Sequence, residues 1–185
     1  MTGVERGPLL AAVTFIEGVV DGWSCWELSD WFEQHLVKTG RCARAPSVVH
    51  DPEVGSIAID PRWSDTQPGL VGVEQLPALL RATRKRVVDT LMRFLPPNDD
   101  DAFVVAAMDA KRVERRKVRD QLRWVPCPNE SDTLSDVVLS LVAADMLDNR
   151  AFYETQLCVC DVCGRVSFDA VTTRTRCGEH RDGDD

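Results

Sequence analysis

Apolar residues recur at helical spacing along several stretches of the chain and break off at clear stop signals. An apolar run at 8–16 (PLLAAVTFI) is interrupted by Glu17 and Asp21, with no small-x-small cleavage site after it. That predicts a first helix over 8–20 rather than a signal peptide. Ser24-Cys25-Trp26-Glu27 is an S-x-x-E capping box, so a second helix should start there and end at Gly40. Leu28, Trp31, Phe32, His35 and Leu36 share one of its faces, while Trp26 and Val37 fall opposite, beside Asp30 and Glu33. Residues 40–72 hold Pro46, Pro52, Pro61 and Pro68 with Gly55, Gly69 and Gly72. They read as a long irregular connection with a short strand at 56–59.

The helical pattern resumes over 76–95 through Leu76, Leu80, Val87, Leu91 and Phe94, with Pro77 in the first turn and Pro96-Pro97 as the stop. Asn98 and Asp99 to Asp101 offer caps for a helix running to about Trp124. The step of five from Val113 to Val118 spoils its stripe and leaves a strand at 102–108 open. Ser131 to Asn149 predicts another helix, capped by Asp132 or Thr133, with Leu134, Val137, Val138, Leu141 and Val142 inward. From Ala151 the period shortens to two: Tyr153, Thr155, Leu157 and Val159 alternate as in a strand.

That strand leads into the densest chemistry of the chain. Four of its seven cysteines lie in the last 28 residues. Cys160-x2-Cys163 is followed, after thirteen residues with two β-prone runs, by Cys177-x2-His180. Ligands three positions apart on a tight turn can face one ion, and Gly164 lets the backbone bend there. A β-hairpin would return the second pair to the first. Three thiolates and one imidazole suit tetrahedral Zn²⁺ better than Mg²⁺ or Ca²⁺. Cys158 is an alternative ligand, because Cys158-x-Cys160-x2-Cys163 offers three thiols for two positions. Over about residues 153–180 this segment resembles a zinc ribbon or treble-clef finger. Four protein ligands leave no open position, so one structural zinc is expected.

Composition narrows the rest. With 44% hydrophobic residues in 185 the chain has material for a core. The expected fold is α+β: a mainly helical domain of four or five helices over 1–150, then a small zinc-ribbon-like β module with an acidic tail over 151–185. An odd cysteine count beside a metal-like cluster fits a reducing compartment, and no stretch is long and apolar enough to span a membrane. Cytoplasm is the expected location.

The net charge of −8 disfavours a general polyanion binder. Yet residues 81–93 carry +4 and 111–123 carry +5. Read as two antiparallel helices, these would bring Arg84, Lys85, Arg115, Arg116 and Arg119 onto one positive surface for nucleic acid or an acidic partner. No nucleotide-loop, zincin, serine-hydrolase or di-iron motif occurs. Cys25–His35 and Cys42–His50 are weak nucleophile pairs that nothing singles out. The sequence therefore reads as a non-catalytic zinc-binding regulatory or adaptor protein acting through another protein, with Trp26 and Val37 as candidate partner contacts. A nucleic-acid-associated regulator is the alternative, and an enzyme with an unrecognised site in the helical domain the third.

Overall fold

The computed structural model describes residues 15–16, 20–38, 45–60, 69–94, 98, 100–118, 120–129, 131–168 and 180. Within them the architecture is α+β: four helices and three separate two-stranded antiparallel sheets. The expected first helix lies mostly outside the described residues, although Phe15 and Ile16 are helical and buried.

Helix α1 (Cys25–Phe32) starts where the capping box places it. The Ser24 hydroxyl accepts the Glu27 N–H while the Glu27 carboxylate accepts the Ser24 N–H at 2.7 Å, satisfying two donors that a helix start leaves open. The helix widens into a π turn over Glu33–Val37. Leu28, Trp31, Phe32 and Leu36 are buried, with Phe15 tilted against Trp31 at 5.3 Å between ring centroids.

The 40–72 connection contains a hairpin, β1 (Val48–Asp51) with β2 (Gly55–Ala58), rather than one short strand. Asp51 makes its turn by accepting the N–H groups of Glu53 and Val54 at 2.9 and 3.0 Å. Gly55 sits at φ +108°, a conformation that calls for glycine, and a Cβ there would crowd the Val71 side chain at 3.1 Å. The buried Asp51 carboxylate also takes the Arg86 guanidinium, which reaches on to Glu53 at 3.1 Å.

Helix α2 (Leu76–Phe94) buries Leu76, Leu79, Leu80, Thr83, Val87, Leu91 and Phe94, a stripe at i, i+3, i+4 spacing. Helix α3 (Ala102–Asp109) follows the acidic cap, where Asp100 accepts the Ala102 N–H at 3.0 Å. The helix starts where the acidic caps place it, so the alternative strand at 102–108 does not form, but it ends at Asp109 instead of running to Trp124. Lys111 turns the chain at φ +56°, and β3 (Val113–Val118) pairs with β4 (Gln121–Pro126). The five-residue step from Val113 to Val118 belongs to this hairpin, whose outer residues touch solvent and need no apolar stripe. Its turn uses Asp120 at φ +66°, a conformation Asp tolerates better than most residues.

Helix α4 (Leu134–Gln156) begins at Thr133, whose hydroxyl and Asp136 form a second capping box. Arg112 binds Asp132 at 2.7 Å and Asp136 at 3.0 Å, tying the base of the β3–β4 hairpin to this helix start. The helix passes a kink at Asn149 and continues to Gln156, so the strand expected from Tyr153 onward starts only at Leu157. Tyr153 and Leu157 lie four apart, which fits a helix face as well as an alternation. Strands β5 (Leu157–Val159) and β6 (Val166–Phe168) then pair, and Leu157, Val159 and Val166 join the same apolar cluster as Leu80, Val87 and Leu141.

Candidate metal centre

Strand β5 delivers Cys160 to a tight turn. Cys160 donates its N–H to the Arg165 carbonyl at 2.9 Å, and Gly164 donates to the Cys160 carbonyl at 2.8 Å. Gly164 closes the turn at φ +67°, and a Cβ there would come within 3.3 Å of Val88 on α2. The turn is thereby held against α2. Cys160 is buried, Cys163 is exposed, and His180 returns to them half-buried.

The Cys160 Sγ lies 3.4 Å from His180 Nδ1, and ligand atoms of Cys160, Cys163 and His180 all fall within 4.8 Å of one another. Bond lengths of about 2.3 Å to sulfur and 2.0–2.1 Å to nitrogen put neighbouring tetrahedral ligands roughly 3.5–3.8 Å apart. The group can therefore hold a metal ion. Cys177 lies outside the described residues. Cys158, the alternative ligand, is buried within β5 opposite Ser167 and is not part of the group.

The other candidates are dispersed. Trp26 is 67% exposed on the polar face of α1, and Val37 is half-buried. Arg84 and Lys85 lie on α2, whereas Arg115 and Arg116 lie on the β3–β4 hairpin, so the expected antiparallel pair of basic helices does not exist. Arg119 lies outside the described residues. On the hairpin Arg116 pairs with Glu114, Lys117 with Asp120 at 2.8 Å, and the Arg115 guanidinium sits 5.8 Å from the Trp124 ring centroid.

The weak nucleophile candidates gain nothing. Burial pushes the Cys25 thiol above its ordinary pKa, against a smaller opposing backbone hydrogen bond, which is contrary to thiolate activation. The thiol donates to the Ala58 carbonyl at 3.8 Å. His50 Nδ1 faces Ser56 Oγ at 2.8 Å across the β1–β2 hairpin, and Cys42 lies outside the described residues.

Sequence reasoning missed the Asp51–Arg86 pair, which joins residues 35 apart, and also a cleft of about 290 Å³ between α2 and the Cys160–Gly164 turn. No helix among the described residues is long and apolar enough to cross a membrane. No protein-family model, curated protein or solved structure matches the chain.

Proposed function

We propose that the chain is a non-catalytic, zinc-binding regulatory or adaptor protein of the cytoplasm that acts through another protein. One structural zinc, held by Cys160, Cys163, Cys177 and His180, fixes a zinc-ribbon-like C-terminal module. The convergence of Cys160, Cys163 and His180 within 4.8 Å carries this reading, because two thiols and an imidazole are a zinc donor set. Metal analysis of the purified chain is expected to give about one zinc per chain. A folded chain that takes up no zinc sinks the proposal.

The docking half of the proposal rests on Trp26, a large apolar side chain left mostly in solvent on a capped helix. Trp26→Ala is expected to leave the melting temperature nearly unchanged and to abolish capture of a specific partner protein from the native host. A large loss of stability would show instead that Trp26 supports the core.

A second reading, nucleic-acid association, draws on the β3–β4 hairpin, since a two-stranded basic ribbon fits the major groove. Its cations are largely answered by Glu114, Asp120 and Trp124, and the chain as a whole carries −8. Titration with duplex and single-stranded DNA and RNA is expected to give weak binding that vanishes near physiological salt. Tight binding that survives that salt, and is lost on Arg115→Glu with Arg116→Glu, would put this reading first.

A further inference from the structure

The cleft beside the Cys160–Gly164 turn gathers three basic side chains along one face of α2. Several basic side chains elsewhere find carboxylates: Arg86 meets Asp51 and Glu53, Arg112 meets Asp132 and Asp136, and Lys117 meets Asp120. Arg81, Arg84 and Lys85 line the cleft from one face of α2 at i, i+3 and i+4, and none makes an ion pair or hydrogen bond among the described residues. Like charges at that spacing repel, and an anion between them would relieve that repulsion. Gly164 and Cys163 form the facing wall.

Asp21 lines the same cleft, and its Oδ1 is buried without a hydrogen-bond donor. That oxygen is closed to solvent, so a ligand in the cleft meets Asp21 through its charge and not through a hydrogen bond to Oδ1. Asp89 also lines the cleft and is exposed, as Arg81 and Lys85 are, so water screens these charges alike, while Arg84 is half-buried. A carboxylate has two oxygens for three cationic groups. A phosphate monoester has three terminal oxygens and a charge of about −1.5 to −2, and it matches the guanidinium forks and the ammonium together.

We propose that the cleft between Arg81, Arg84 and Lys85 of α2 and the Cys160–Gly164 turn binds a phosphate monoester. This deepens the proposed function by naming what the surface beside the metal centre recognises: a phosphorylated side chain of a partner, or a free phosphorylated metabolite. It leans on the metal reading only in that the turn forms one wall.

The test is calorimetric titration of the full chain, with zinc content measured in parallel. The probes are inorganic phosphate, glycerol 3-phosphate, a blocked phosphoserine hexapeptide and succinate. Saturable binding of at least one phosphate ester is expected at about 1 mM or below, with succinate about tenfold weaker or more. Arg84→Gln should weaken the ester about tenfold, and Arg81→Gln, Arg84→Gln and Lys85→Gln together should abolish binding with zinc content unchanged. Asp21→Asn removes a negative charge from the lining and should strengthen binding of the phosphate probes. Preference for the peptide assigns the source to a partner side chain, and preference for glycerol 3-phosphate assigns it to a metabolite. The proposal is overturned if no phosphate ester saturates, if succinate binds equally, or if the triple variant binds as the parent does. Loss of zinc with phosphate binding retained would break the metal reading and leave the cleft standing.

Discussion

Cys163→Ser is expected to release the proposed zinc and to unfold the segment from Leu157 to Phe168 while the helical core persists. The two strands there are three residues each, and an isolated two-stranded hairpin is marginal in water. Packing of Leu157, Val159 and Val166 on the main cluster helps, but a structural zinc site contributes about 10–16 kcal/mol in small zinc-binding peptides, far more than three side chains supply. Serine cannot replace the thiolate as a soft ligand. Hydrogen exchange should show amide protection lost over 157–168 and kept in α2 and α4, with metal analysis reporting the lost ion. Chelation of the parent chain should give the same pattern. Cys158→Ser is the control: it should keep zinc, because Cys158 stands outside the ligand group, at a cost of about 1–3 kcal/mol for burying a hydroxyl. Unchanged protection and stability in the metal-free chain would remove the zinc from any structural role.

Asp51→Ala should cost about 2–4 kcal/mol, because the change strips several hydrogen bonds from one buried group. The carboxylate is 1% exposed, accepts two backbone N–H groups of its own turn, and binds the Arg86 guanidinium from α2. Burial alone would raise its pKa. The hydrogen bonds from Arg86, Val54 and Glu53, with the Arg86 charge, outweigh burial and hold it below the ordinary value of 3.8. A carboxyl with a depressed folded pKa favours folding above its unfolded pKa. That contribution drains away as pH falls below about 4 and through the folded value. Denaturant melts between neutral pH and about pH 3 should therefore show a loss in the parent that Asp51→Asn lacks. Asp51→Asn should sit between parent and Asp51→Ala, since an amide oxygen still accepts from the turn but carries no charge for Arg86. An alanine variant within about 0.5 kcal/mol of the parent would show that the pair contributes nothing net.

Local signals carried far in this chain where they were self-sufficient. Ser24 with Glu27 marked a helix start that the structure reproduces, because a capping box is satisfied by residues three apart and needs nothing distant. Leu76 to Phe94 was legible for the same reason: Pro77 opens the helix, the apolar stripe is periodic, and Pro96-Pro97 follow. The reading failed where periodicity is ambiguous or absent. Residues 113–126 form a hairpin exposed over most of its length, with no buried face to print a period of two on the sequence. Tyr153 and Leu157 satisfy either period, and only packing against the core carries the helix on to Gln156.

The candidate metal group divides in the same way. The spacing of Cys160, Cys163 and His180, with Gly164 beside the turn, was written in the chain, since ligand spacing and turn chemistry are local properties. That Cys160 rather than Cys158 stands with His180 was decided by tertiary structure, because the end of β5 sets which thiol reaches the turn. Asp51 with Arg86 and the cleft formed by Asp21, Arg81, Arg84 and Gly164 were invisible beforehand. Each joins residues tens of positions apart, and no sequence pattern specifies which solvated charge will be carried against a distant turn. Sequence alone determined the helix starts and the spacing of the candidate ligands; the packing of α2 against both the β1–β2 turn and the Cys160–Gly164 turn decided which charges are paired and which line an open cleft.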